Sequence, residues 1–187
     1  MVILTRIDDR LIHGQVTVGW GDLLKPDRII LANDEVASNE WEQELYRTAV
    51  PSEIEVCVTS IEGAAAMLLE EEDNEKRTIL LVDSPQDVLR LLHSGAHIEK
   101  VNVGGLHFRE GRHPLLPFVY VDEDDLNALK TLCQHGICVE CQDVPTCRKI
   151  AMEKLLKTGI SGGGEGRRGR RQSAKGPVKP RRSKGAH

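Results

Sequence analysis

The stretch Arg6-Ile-Asp-Asp-Arg-Leu-Ile-His-Gly-Gln packs two arginines, two aspartates, a histidine, a glycine and a glutamine into ten residues. Residue types of this kind, ahead of a helix start, suit a phosphate. Backbone N–H groups and the helix dipole favour an anion there. Arg10 adds a planar donor fork for two phosphoryl oxygens. His13 then stands as a nucleophile inside an anion-binding cradle, and positive potential around it favours the neutral imidazole. One aspartate is placed to hydrogen-bond the ring nitrogen that is not attacked and to fix the tautomer. A histidine so held can accept a phosphoryl group and pass it on. The competing reading is an ordinary polar loop, with Asp8 or Asp9 capping the helix and His13 half exposed.

Strand and helix signals alternate around this loop. Short apolar runs predict strands over 2–5, 28–32, 54–58, 78–82, 100–103, 118–121 and 137–141. Helical spacing predicts helices from 13 or 14 to 24, from 33 to about 50, from 60 to about 70, from 85 to 94, from 122 to 135 and from about 145 to 157. Asn33 and Ser84 supply caps, Pro85 suits a first helical position, and Gly95 and Gly136 are stops. The expected fold is therefore α/β: an open, mainly parallel seven-stranded sheet with helices on both faces. The link between 103 and 118 carries no clear helix, so the sixth strand is expected to pair antiparallel at an edge. In such sheets ligands bind beyond the carboxyl ends of strands, where the Arg6–Gln15 loop lies.

Composition agrees with one core and one appendage. Aromatic residues make up 3% of the 187, so Ile, Val, Leu and Ala must fill the interior. The net charge of −4 is a balance of −12 over residues 1–160 and +8 over residues 161–187. A globular domain is expected over 1–158, and a disordered basic tail rich in Gly, Arg and Lys over 159–187. No apolar run reaches the ~20 residues of a membrane span and no signal-peptide pattern opens the chain, so a cytoplasmic protein is expected. The five cysteines are expected to be reduced thiols. Cys138 and Cys141 lie three apart on a predicted strand and so point to opposite faces, which argues against a shared metal. Cys133 and Cys147 are expected in helices.

With the strand Asp27-Arg-Ile-Ile-Leu-Ala-Asn-Asp and the later Val101-Asn-Val-Gly-Gly, the motif through Val16 resembles the IIB component of the mannose/fructose/sorbose family of the bacterial sugar phosphotransferase system. The resemblance spans roughly residues 1–156 and implies an open α/β sheet. It implies that His13 is phosphorylated through Nδ1, that Arg10 neutralises the phosphoryl oxygens, and that no metal or organic cofactor takes part. Arg6, Asp8, Asp9, Gly14 and Gln15 complete the motif as supporting residues. The implied partners are a phospho-IIA donor, the membrane components IIC and IID, and a sugar, with the chain peripheral at the membrane. The basic tail departs from the family pattern.

Asn102, Gly104 and Gly105 follow the fifth strand, where glycines permit close backbone approach to an anion or simply make a tight exit. His107, Arg109, Arg112 and His113 are either a docking rim for an acidic partner or a solvated loop. His93, His97 and His135 fall near helix ends and carry no chemistry, and Trp20 and Trp41 read as core or half-core residues. The leading reading is a phosphoryl-transfer enzyme; the absence of a G-x-x-x-x-G-K-[ST] motif argues against an NTPase. The alternative is a phosphohistidine regulatory protein without sugar transport. The tail offers salt-sensitive contact with nucleic-acid phosphates or a membrane, but no aromatic residue interleaves its charges, so no specific nucleic acid is expected.

Overall fold

Alternating apolar side chains build a sheet that is buried on both faces. The computed structural model describes residues 1–70 and 75–157. Strands β1 (Val2–Asp8), β2 (Arg28–Ala32), β3 (Glu55–Thr59), β4 (Thr78–Val82), β5 (Lys100–Gly105), β8 (Cys138–Cys141) and β9 (Ile150–Ala151) form one seven-stranded sheet in the order β3-β2-β4-β1-β5-β8-β9. Every pairing is parallel except β8 with β9. On β2, Ile29 and Leu31 join one apolar cluster while Ile30 and Ala32 join the other. Each fully buried aliphatic side chain of this kind contributes about 1.5–3 kcal/mol.

Helices cover both faces. Helix α1 begins as a π-helix at Gln15–Trp20 and continues as an α-helix at Gly21–Leu24. It shares one face with α2 (Asp34–Ala37), through Val16 and Val36. Helices α4 (Ile61–Glu70), α5 (Pro85–His93), α6 (Glu123–Gln134) and α7 (Met152–Lys157) pack on the other, through Ala64, Val88, Leu129 and Met152. The caps are those expected: Ser84 Oγ accepts from Asp87 N, and Asp122 forms a reciprocal capping box with Asp125. β1 and β4 are neighbours, yet the helix after β1 packs on one face and the helix after β4 on the other. That divergence opens a crevice at the carboxyl ends of these strands.

Four local expectations are corrected. The helix expected from 33 is broken in two, because Asn39 caps a separate α3 (Glu40–Thr48) by accepting from Glu42 N. The strand expected over 118–121 lies outside the main sheet: β7 (Val119–Val121) pairs antiparallel with β6 (His113–Leu116), a strand unannounced because it contains Pro114 and ends against Pro117. The final helix starts only at Met152, since Ile150–Ala151 pairs with β8 and supplies the seventh strand; Cys147 consequently sits in a turn. Trp41 is 73% exposed, whereas Trp20 is core. The tail over 159–187 lies outside the described residues.

Asp83 follows β4 at the crevice and accepts a hydrogen bond from Asn33 Nδ2 at 2.9 Å. Burial, reinforced by the neighbouring Asp87 carboxylate, pushes its carboxyl up to about 7. Between the unfolded value of about 4 and this folded value, the native chain holds a proton that the unfolded chain has released. The stability contributed by Asp83 therefore falls as pH rises through that window. Asp83→Asn should raise Tm at pH 8 and do so far less near pH 4; an equal shift at both values would contradict the assignment.

Candidate functional site

The site begins with a buried charge. Arg6 and Asp8 point to the same face of β1, and both side chains are 0% exposed. Arg6 Nη2 donates to Asp8 Oδ2 at 2.8 Å and to the Asp143 carbonyl at 3.0 Å. Its Nη1 donates to Asn102 Oδ1 at 2.6 Å and to the Gln142 carbonyl at 3.1 Å. The guanidinium also lies 5.4 Å from the ring centre of Trp20. Burial holds Arg6 below its ordinary pKa, and the Asp8 carboxylate works against that shift. Gly104 leaves the space: a Cβ there would fall 1.8 Å from Arg6 Cζ. The close approach foreseen for this glycine is thus to a guanidinium rather than to an anion, and Asn102 serves the same cation.

Asp8 carries this anchor to the loop. Its Oδ1 accepts from both the backbone N and Nε of Arg10 at 3.3 Å, and its Oδ2 stands 3.7 Å from His13 Nε2. Arg10 Nη2 donates to Gln15 Oε1 at 2.6 Å, and that same oxygen is 3.3 Å from His13 Nε2. Arg10 keeps 39% of its side chain in solvent and His13 18%. The crevice therefore presents one guanidinium and one imidazole edge to a ligand, both braced from below by a single carboxylate.

The loop between them is strained. Leu11 is 6% exposed yet has φ +55, a conformation costly for a side chain with a Cβ. A hydrogen bond from Leu11 N to the Asp8 carbonyl at 2.9 Å closes the turn. The turn aims the Leu11 carbonyl at His13 Nδ1, 2.8 Å away. A carbonyl only accepts, so this contact places a proton on Nδ1. Gly14 leads into the helix in a right-handed conformation, no side chain caps that start, and a Cβ on Gly14 would meet nothing.

Asp9 turns the other way and ties down the loop after β5. It accepts from His107 N at 2.7 Å and pairs with His107 Nδ1 and Arg112 Nη1 at 2.5 and 3.4 Å. Arg112 also pairs with Asp125 at 3.0 Å, which locks the loop onto the start of α6. Arg112 is thus an internal brace, while Arg109 and His107 remain at the surface. Gly105 sits between the two aspartate systems, where a Cβ would fall 3.1 Å from Asp8 Oδ1 and 3.2 Å from His107 Cε1. His13, Arg10, Asp8, Gln15 and Arg6 form one connected cluster, whereas Asp9 belongs to the scaffold. Sequence reasoning missed Leu11, Gln142 and Asp143, whose main-chain carbonyls do the work and leave no side-chain signature. Cys138 is exposed and Cys141 buried on opposite faces of β8, and no group of metal-ligating side chains occurs among the described residues.

Comparison with known proteins gives one consistent result. Residues 2–161 match the model of the phosphotransferase-system sorbose subfamily IIB component. The sorbose-specific EIIB component of Klebsiella pneumoniae is 36% identical over 158 residues, covering 84% of this chain and 96% of that protein. The fructose-specific EIIB component of Bacillus subtilis (strain 168) is 32% identical over 156 residues, 83% of this chain and 96% of its own length. The mannose-specific EIIAB component of Escherichia coli (strain K12) is 38% identical over 157 residues, which span 83% of this chain and 49% of that longer protein. The crystal structure of the IIBSor domain of the sorbose permease from Klebsiella pneumoniae superposes with a TM-score of 0.79 at 32% identity, covering 84% of this chain and 97% of that one. Fold, sequence and the length matched agree, and the chain belongs to the sorbose subfamily of IIB components of the sugar phosphotransferase system.

Proposed function

We propose that His13 accepts a phosphoryl group from a phospho-IIA protein and delivers it to a sugar at the membrane components IIC and IID. The observation that carries this reading is the joint hold of Asp8 and Gln15 on His13 and Arg10 at a crevice mouth. In the accepting step a lone pair of His13 bonds to phosphorus, and the donor's P–N bond breaks with its electrons returning to the donor nitrogen. Arg10 faces the equatorial oxygens, where charge spreads in a loose transition state. Transfer through Nδ1 requires that nitrogen to release its proton to solvent and leave the Leu11 carbonyl, while Nε2 takes a proton up from solvent. Asp8 and Gln15 then hold the proton on Nε2, which leaves the Nδ1 lone pair free.

The fused EIIAB chain of Escherichia coli, which unites two such components, supports a IIA donor for this one. No helix among the described residues is long and apolar enough to cross a membrane, which accords with a peripheral, cytoplasmic role. The basic tail acts by salt-sensitive attraction to acidic surfaces.

Three measurements test this reading. His13→Ala should abolish labelling by phospho-IIA with an unchanged melting curve, and Arg10→Ala should slow labelling about 10²–10³-fold, Arg10→Lys recovering only part. Substantial label on the His13 variant, or wild-type rates in Arg10→Ala, would refute these roles. Gly104→Ala should drive a methyl group into Arg6, lowering Tm and slowing labelling without touching the loop itself; overpacking a filled interior in this way costs about 1–3 kcal/mol. Unchanged stability and rate would show that the anchor does not matter. A chain ending at Gly159 should keep its Tm and, at high ionic strength, the full-length labelling rate; a large loss of either would make the tail part of the working structure.

A further inference from the structure

Three neighbouring strands, β2, β4 and β1, each carry a polar side chain to the crevice beside the His13 loop. Leu31 of β2 pairs with Leu81 of β4, and Val82 of β4 pairs with Ile7 of β1. Asn33, Asp83 and Asp8 therefore follow one another across the carboxyl ends of these strands, whose spacing is about 4.8 Å. Asn33 Nδ2 closes one side of the row by donating to Asp83 Oδ2 at 2.9 Å. At the other side, Asp8 is the carboxylate beneath His13 and Arg10. Asp83 has no part in that hold, yet it is the next acid along the same row.

Groups from several elements face Asp83. Asp87, on the first turn of α5, brings a second carboxylate, itself held by Ser84 Oγ and by Arg90 Nη1 at 3.2 Å. Arg90 also serves Asp34 and Glu62, so its charge is already shared. Tyr46 comes within electrostatic reach from α3, and Arg109 from the loop after β5. Arg109 is largely exposed and stands 3.9 Å from Asp9, so it neutralises Asp83 only in part. Burial, and after it the Asp87 carboxylate, push the Asp83 carboxyl up to about 7, against Arg109 and Ser84.

We propose that Asp83 governs phosphoryl transfer at His13 through its charge: uncharged, it leaves the crevice open to an anionic phosphoryl group, and as a carboxylate it opposes one. The inference rests on the phosphoryl-transfer reading. A second carboxylate one strand from Asp8 adds negative charge where the transferred group already carries it. The proton on Asp83 is present below about pH 7 and lost as pH rises through that value. Linkage runs both ways, so a phosphoryl group on His13 must tighten the hold of Asp83 on its proton. One unit charge about 10 Å away, at an effective dielectric of about 20, changes a rate on the order of tenfold.

Labelling of His13 at saturating phospho-IIA should be followed from about pH 6 to about pH 9 in the native chain and in Asp83→Asn, which keeps an acceptor for Asn33. The donor's own ionisation is common to both. The native rate should fall on the order of tenfold on the alkaline side, and Asp83→Asn should lose that fall. Asp87→Asn, which removes the neighbouring charge, should move the fall to lower pH, a displacement that a purely structural role would not produce. In a chain labelled with ¹³C-aspartate, the Asp83 carboxyl should titrate near 7 and at higher pH once His13 is phosphorylated. An equal alkaline fall in native and Asp83→Asn chains, an Asp83 midpoint at the ordinary value of about 4, or a midpoint unmoved by phosphorylation would overturn the inference and leave the role of His13 standing. No label on either chain at any pH would refute the phosphoryl-transfer reading, and the inference with it.

Discussion

The ion pair between Arg6 and Asp8 is the constraint around which the rest of this molecule is arranged. Two charges with no solvent exposure sit on the central strand of the sheet. Their desolvation is offset by hydrogen bonds to both Nη atoms of Arg6, whereas its Nε has no hydrogen-bond partner among the described residues. Asn102 and the Gln142 and Asp143 carbonyls take the guanidinium hydrogens, Trp20 covers its face, and Gly104 omits the side chain that would occupy its place. These residues come from β1, α1, β5 and the segment after β8, so the pair ties the central strand to the β5–β8 side of the sheet at one point.

What this anchor supplies is a rigid carboxylate just beneath the crevice mouth. Asp8 spreads its two oxygens over three groups, with Arg6 below, Arg10 beside and His13 above. A mobile surface aspartate would give the histidine a partner without a fixed direction; a buried one fixes both direction and distance. The strained Leu11 turn belongs to the same design, since its carbonyl holds the other ring nitrogen. The two contacts occupy opposite edges of the imidazole, so transfer of a phosphoryl group must exchange one for the other. Asp9, one residue on, braces the neighbouring loop through His107 and Arg112, and keeps the second wall of the crevice from drifting.

Much of this could be read from the chain. Parallel strands buried on both faces leave continuous apolar runs, which is why 28–32 and 78–82 stand out, and the Ser84-Pro85 and Asp122 caps mark their helices without tertiary information. The local errors share a cause. Residues 113–116 and 150–151 are short strands whose pairing partners, not their own residue types, make them strands, and the break at Asn39 is a cap that competes with a continuing amphipathic period. At the site, the clustering of Arg10, His13, Asp8 and Gln15 follows from their spacing along one loop. The place of Arg6 as a buried anchor beneath the loop, where a supporting residue of the phosphate motif is expected, does not, because it depends on residues more than ninety positions away.

The account turns on which atom receives the phosphoryl group. After phosphorylation by phospho-IIA, ³¹P–¹⁵N correlation on the histidine-labelled chain measures this directly. It should report one phosphorus on Nδ1 of His13, with a proton on Nε2 retained by the Asp8 edge. Phosphorus on Nε2, on another histidine, or on none would contradict the account of Asp8, Leu11 and His13 given above.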